Sequence, residues 1–501
     1  MQRTKLERDR LIRSVAKGAG VVFVGTMAAR VLGYLIRAVI ARGYGQEMYG
    51  YISTSLAIFT VITTLALFGV SNSLPRQISL HVAREQWQRV SSSIAVAFLL
   101  ILGIGTLLSA MLFFATPEIA LSVYDNPSLT SFFYAFALGI PFYLILRLAA
   151  AVFRGFQRMT TFVFFRHVLR QGLIFLLVLV FYFLHLPEQH LGLVYFVAFL
   201  LCGLSALVFT LKTVPLSRRS VQLDLSEART LFQFSWPLMM SSVVMMLLHY
   251  TDTLMIGYYL KQAQVGLYNA GVPISELLAV VYDSFVPLLV PIMTTYYARQ
   301  AQSSLRDTYL ISCKWIYLVT FPLYLLVLIH PQFFISLLFG SDYLAADHVV
   351  RVLATGIFFA SMVGPTGNLL IVIGKPRLMF FDTAVAYVVN VVLNILLIPR
   401  FGLIGAAAAT ASSLILYNVL TLCQVYVYQR LAPPGKIYLL ITLAGGVPGM
   451  LLWKLGEAHS GLGVAGLCLL FLAIYAGANI LLRTLNEDDR MILNEVKKRL
   501  S

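Results

Sequence analysis

Residues 91–115 read SSSIAVAFLLILGIGTLLSAMLFFA, twenty-five positions without one charged side chain, bounded by Arg89 on one side and Glu118 on the other. A helix of about 20 apolar residues, rising about 1.5 Å each, crosses the hydrocarbon core of a bilayer. This run is long enough to cross with some tilt. It lacks the alternation of a barrel strand and is far too long for one. It is a transmembrane helix, and the chain around it must be read in that light.

The neighbouring sequence repeats the pattern. Of 501 residues, 59% are hydrophobic and only 12% are charged, whereas a soluble domain carries roughly 25% charged residues. Too few charges exist to coat a water-facing surface, which excludes a soluble enzyme. Apolar runs between loop signals predict fourteen spans: 18–42, 50–72, 91–115, 129–153, 162–184, 191–211, 232–258, 266–290, 309–330, 348–373, 378–398, 403–428, 437–454 and 462–482. The count falls to twelve if a pair is re-entrant.

Basic residues test the count. With the N-terminus in the cytoplasm, twenty-eight of the 37 lysines and arginines fall in inner segments. Only Arg42, Lys261, Arg400 and Lys454 lie outside, and Arg30, Arg37, Arg147, Arg170 and Arg351 lie within spans. A miscounted helix would invert every later loop and destroy this asymmetry, so the positive-inside rule predicts fourteen spans with both termini cytoplasmic. The net charge of +16 is then accounted for by orientation and by attraction to anionic membrane lipids. It forms no single stripe with interleaved aromatics, so no nucleic-acid partner is expected.

Several chemistries have no residues to carry them. The first apolar run follows a basic segment without a small-residue cleavage site and reads as a first span, not a signal peptide. Cys202, Cys313, Cys423 and Cys468 are scattered through predicted spans, with no metal-ligand spacing. No His-x-x-x-His pair and no glycine-rich loop ending in Lys-Ser/Thr occurs. The longest loops hold about 18–20 residues, too few for a catalytic domain of the usual size. No enzyme, metal or cofactor is expected.

An internal repeat supplies the architecture. Gly50 aligns with Gly266 and Pro75 with Pro291, both at an offset of 216; Gly155 aligns with Gly374 and Gly192 with Gly402 at offsets of 219 and 210. Spans 1–6 therefore match spans 7–12. Six is even, so the halves run in the same direction, as parallel repeats with a cavity expected between them. The predicted fold is an all-α polytopic membrane protein: two parallel six-helix lobes around a central cavity, plus two C-terminal helices. In segments, 1–17 is a basic N-terminus, 18–211 the N-lobe, 212–231 a linker, 232–430 the C-lobe, 431–482 the last two spans and 483–501 a basic tail.

A charge inside a span costs about 2.5–3.5 kcal/mol at a helix centre on the insertion scale, and usually marks function. Arg30 and Arg37 lie seven residues apart on one face of span 1, too deep for Arg30 to reach either surface. Arg147 and Arg170, in the inner halves of spans 4 and 5, either line the cavity or snorkel to headgroups. His249 and Asp252 share a face of span 7; Glu276 and Asp283 stand on span 8. The first half is cationic within the membrane and the second anionic. Arginine suits phosphate above other ligands, because its planar fork matches the oxygens and keeps its charge.

The residues also resemble a known family. Ala29-Arg30-Val31-Leu32-Gly33-Tyr34 with Arg37 and Ala41-Arg42-Gly43-Tyr44-Gly45 is similar to the first helix of lipid-linked-glycan flippases. Asp252 with Val265-Gly266-Leu267-Tyr268-Asn269-Ala270, the stretch 338–343 (LFGSDY), and Asn390-Val-Val-Leu-Asn394 running on through Pro399 and Gly402 to Thr410 continue the likeness. From about residue 15 to 430 the chain resembles the polysaccharide-transport branch of the multidrug/oligosaccharidyl-lipid/polysaccharide exporter superfamily. That resemblance implies a monomeric flippase in the cell membrane that moves a polyprenyl-linked saccharide. It also implies a phosphate-binding role for Arg30; Arg37 stands one residue later than the second arginine of lipid II flippases. A cation-coupled multidrug antiporter, a lipid II flippase and a membrane enzyme acting on a polyprenyl phosphate are the alternatives. Saccharide contacts are expected from polar residues such as Asn368, Asn390 and Asn394. Coupling, if present, falls to Asp252, Glu276 or Asp283 as a proton site, or as a Na⁺ site with the Asn269 oxygen. The other reading of Asp252 is a static pair with Arg37.

Overall fold

In the computed structural model, which describes residues 2–214, 225–456, 461–482 and 484, every regular element is a helix and no strand occurs among the described residues. Half of the 212–231 linker, with Arg218 and Arg219, and nearly all of the 483–501 tail lie outside the described residues, as do residues 457–460 between the last two predicted spans. Among the described residues, nine helices are long and apolar enough to cross a membrane, or ten if one bent pair counts as a single span. Part of the gap from fourteen has a plain cause. Two of those helices run through a kinked glycine and each counts once, while Gly435–Leu451 falls short in length.

The chain divides into two units after Gly266. The first begins with α1 (Gln2–Leu67), bent at Gly45 (φ 82°, ψ −178°), a conformation open to glycine because it has no Cβ. It continues through α2 (Val70–Ala83), α3 (Trp87–Glu118), α4 (Leu129–Gly155), α5 (Met159–Val163), α6 (Arg170–Phe183), α7 (Leu191–Thr213) and α8 (Leu225–Tyr259). A π turn, Phe164–Leu169, joins α5 to α6. The start of α9 (Gln262–Glu276) closes the unit.

Helix α4 is the pillar of this unit. Phe132, Phe133, Phe136, Leu144, Leu146, Leu148, Ala149 and Phe153 are all buried on it, around its full circumference. A helix apolar on every side is surrounded by other helices. Lipid tails are as apolar as leucine, so close packing rather than water exclusion holds it. Small residues make that possible: a Cβ on Gly203 of α7 would stand 2.4 Å from the Phe142 carbonyl oxygen. Phe59 of α1 stacks on Phe199 at 4.9 Å and meets Tyr143 edge-on at 5.0 Å. Helix α3, by contrast, leaves Leu99, Leu107, Met111 and Phe114 exposed, the side it turns to lipid.

One close approach links two anchors of the internal repeat. A Cβ on Gly50 would lie 2.0 Å from the Gln262 carbonyl oxygen, and one on Gly266 would lie 2.0 Å from that of Gln46. Gln46 and Gln262 are separated by the same 216 positions as the two glycines, and the contact is reciprocal. Beside it, Thr54 Oγ1 donates to Gln262 Oε1 at 2.8 Å.

The first turns of α8 rest on α2 and α3. Phe68 meets Phe232 at 4.5 Å, and Ser73 and Ser235 share a hydrogen bond of 2.6 Å. Glu227 is buried; its Oε2 accepts from Ser93 Oγ at 3.1 Å and faces His81 Nε2 at 3.4 Å. Glu227→Ala would leave a buried hydroxyl and imidazole without their acceptor, a loss of about 1–3 kcal/mol. Thermal unfolding in detergent should show a lower midpoint for Glu227→Ala and a smaller drop for Glu227→Gln. Equal midpoints for wild type and Glu227→Ala would remove the carboxylate from this account.

The second unit comprises the rest of α9, α10 (Ala279–Ala298), α11 (Gln302–Ile329), α12 (Pro331–Leu338), α13 (Asp347–Met362), α14 (Thr366–Val372), α15 (Pro376–Gln429), α16 (Gly435–Gly456) and α17 (Gly461–Leu481). Its core gathers on tyrosines whose hydroxyls find partners, as buried donors must. Tyr309 donates to Val363 O at 3.1 Å, Tyr438 to Met362 O at 2.6 Å and Tyr475 to Leu318 O at 2.8 Å, while Tyr317 stacks on Tyr438 at 4.1 Å. Helix α15 folds back at Gly402 (φ 58°), so that Asn390 Nδ2 donates to Thr410 Oγ1 at 3.1 Å across its two limbs.

Candidate functional site

The first limb of α1 packs through Ala29, Ile36 and Ile40, all buried, with Gly25 against Val163 and Gly33 against Gln171. That seam lays α1 along α5 and α6. Arg30 and Arg37 stand on the adjoining face and are exposed. The charges of Arg37 and Arg170 both reach Tyr195 of α7, so the arginines of α1 and α6 share one electrostatic neighbourhood.

Arg147 and Arg170 converge on one oxygen. Arg147 Nη1 donates to Tyr143 OH at 3.0 Å and Arg170 Nη1 to the same hydroxyl at 3.5 Å. Both guanidinium carbons also lie over the Tyr143 ring, at 5.7 and 5.9 Å, in cation–π range. The local sequence explains the meeting. Tyr143 and Arg147 are one turn apart on α4, and the π turn ends where Arg170 begins α6. Wide turns of this kind are rare and occur often at functional positions.

The remaining expected residues are distributed as follows. On α8, Asp252 is buried and His249 exposed. In the second unit Asn269 and Glu276 lie on α9 and Asp283, exposed, on α10. Asn368 of α14 donates to Tyr282 OH at 2.9 Å. Asn390 and Asn394 are fully buried within α15, where Asn394 Nδ2 donates to Asn390 Oδ1 at 3.1 Å. Asp382 is buried between the limbs of α15 and accepts from Gln424 Nε2 at 2.8 Å. Among the described residues no group of three or more His, Cys, Asp or Glu side chains could hold a metal ion.

Two participants are not evident from sequence. Arg166 stands at the inner end of the predicted span 162–184 and reads there as one of the inner basic residues; it lies in the π turn, partly buried, with its guanidinium 5.5 Å from the Phe162 ring. Tyr143 reads as one more apolar aromatic of span 4. The available signal is spacing: Tyr143/Arg147 and Arg166/Arg170 are each four apart, on one helix face.

Comparison with known proteins agrees with this architecture. The model of the family described as polysaccharide biosynthesis protein matches residues 15–297, and that of the MatE family matches residues 237–396. An uncharacterized membrane protein of Methanocaldococcus jannaschii, MJ1068, is 23% identical over 453 residues, covering 86% of this chain and 87% of that protein. The probable low-salt glycan biosynthesis flippase Agl15 of Haloferax volcanii is 26% identical over 193 residues, 38% of this chain and 41% of its own length. Among solved structures, the lipid II flippase MurJ in an inward closed conformation superposes with a TM-score of 0.74 at 15% identity, over 92% of this chain and 98% of that one. The fold is that of the MurJ structure.

Proposed function

The chain belongs to the polysaccharide biosynthesis protein family, and from that premise we propose that it flips a polyprenyl-(pyro)phosphate-linked oligosaccharide across the cell membrane. One observation carries the reading: Arg30 and Arg37 are both exposed, on one face of a membrane-spanning helix. Two intramembrane cations kept accessible at that cost call for an anionic ligand. A phosphate linkage supplies the charge, and the arginine fork fits its oxygens. Arg147 and Arg170 extend the same cationic surface. A multidrug antiporter binding cations would place carboxylates here, where this chain has arginines.

In this account spans 1–6 rock against spans 7–12, alternating access to the saccharide from the two sides. The protein works as a monomer with both termini in the cytoplasm, and anionic lipids hold its basic inner loops. The test is reconstitution. Vesicles containing the protein should move a fluorescent polyprenyl-diphosphate oligosaccharide between leaflets faster than protein-free vesicles, and equal rates would overturn the reading.

Coupling is tested in the same vesicles. If Asp252 is a proton site, a pH gradient accelerates flipping by wild type and Asp252→Asn loses that acceleration. A Na⁺ gradient acting instead assigns the site to Na⁺. Flipping that ignores both gradients, fails in Asp252→Asn and returns with Arg37→Gln assigns Asp252 to a static pair.

A further inference from the structure

We propose that Arg147, Arg166, Arg170 and Tyr143 form a phosphate-binding site for a lipid headgroup, in addition to the binding by Arg30 and Arg37 of α1. The site is built but unsatisfied. Arg147 and Arg170 each spend one N–H on Tyr143 OH, at 3.0 and 3.5 Å, while their Nε groups are buried with no hydrogen-bond partner. A buried donor without an acceptor is costly, and two on converging side chains mark where acceptor oxygens belong.

Charge argues the same way. Arg147 and Arg170 both act on Arg166 as like charges. Among the described residues no carboxylate lies within ion-pair distance of any of the three. Three like charges in a low-dielectric setting repel, and no carboxylate among the described residues is paired with them. An anion removes that repulsion. Its shape is set by the donors: an Nε–H and an Nη–H of one guanidinium lie side by side and donate to two oxygens of one tetrahedral group. Two such forks around one tyrosine hydroxyl suit a phosphate, or the paired phosphates of a diphosphate. Phe162 backs Arg166 and the Tyr143 ring backs the other two, so the side chains are held in place before the ligand arrives. The phosphate comes either from the translocated lipid, which rests on the flippase reading, or from an anionic lipid of the bilayer.

Binding is measured without transport. Purified protein carrying Arg30→Gln and Arg37→Gln, which removes the α1 arginines from the readout, is titrated with inorganic pyrophosphate. Adding Arg166→Gln should weaken binding on the order of tenfold or more, the effect of losing a charged hydrogen-bonding partner. Arg166→Lys should recover only part, since the charge returns without the fork. Tyr143→Phe, which keeps the ring and removes the shared hydroxyl, serves if Arg166→Gln does not fold. Pyrophosphate affinity unchanged in every folded variant overturns the site.

The source is read by competition. Displacement of pyrophosphate by the saccharide lipid assigns the site to the substrate. Displacement by phosphatidylglycerol alone assigns it to the bilayer. Flipping that persists in wild type while Arg166→Gln changes neither affinity nor rate sinks the site and leaves the flippase reading standing. Arg166-dependent binding with no flipping in wild type does the reverse.

Discussion

Arg30→Ala is expected to lose saccharide-lipid flipping while the protein still folds and inserts. The substitution removes a charge-assisted, bidentate hold on the ligand, so phosphate affinity should fall by about ten- to a hundredfold, and transport with it. The sign on stability is opposite. Arg30 is exposed and lies on the face beside the packed Ala29–Ile36–Ile40 seam, so its removal opens no cavity. It also relieves an insertion cost of about 2.5–3.5 kcal/mol. The unfolding midpoint in detergent should therefore hold or rise as flipping disappears. Arg30→Lys should retain a fraction of activity, because an ammonium carries the charge without the fork. Wild-type flipping rates in Arg30→Ala would end the assignment of this residue.

Gly50→Val and Gly266→Val are expected to be severely and equally damaging. Any Cβ at either position falls 2.0 Å from a backbone carbonyl oxygen of the facing helix, and a backbone atom cannot move aside as a flexible side chain can. Overpacking of this kind costs about 1–3 kcal/mol or more, and the branched side chain adds to it. Because the approach is reciprocal through Gln46 and Gln262, the two variants should behave alike. Gly103→Ala is the control: a Cβ there meets nothing within 4 Å, and alanine favours the helix by about 1 kcal/mol. Expression and thermal unfolding in detergent read all three. Gly50→Val at wild-type stability, or a large difference between Gly50→Val and Gly266→Val, would contradict the close approach.

What is legible in the sequence follows from how few forces shape a helix in a bilayer. Uncharged runs such as 91–115 must be helical because nothing else satisfies the backbone in lipid, and α3 is the result. The bend at Gly45 falls between the first two predicted spans for the same reason. The break at Gly402 is legible too, since the predicted spans 378–398 and 403–428 part around Pro399, Arg400 and Gly402; the number of spans is less so, because α1 and α15 each run on through their bends. The arginine cluster is half legible. Arg147 and Arg170 stand out as charges in apolar runs. The π turn that brings Arg166 beside them has no composition of its own and depends on packing between α4, α5 and α6. Glu227 is hidden differently: it sits next to a polar linker, and only the fold shows it buried under Ser93 and His81.

Everything turns on what crosses the membrane. Vesicles reconstituted with wild type and with Arg30→Ala should be offered a fluorescent polyprenyl-diphosphate oligosaccharide and, separately, a cationic dye. The prediction is protein-dependent movement of the saccharide lipid between leaflets, abolished in Arg30→Ala, with no transport of the dye by either protein. Transport of the dye without movement of the saccharide lipid would contradict it.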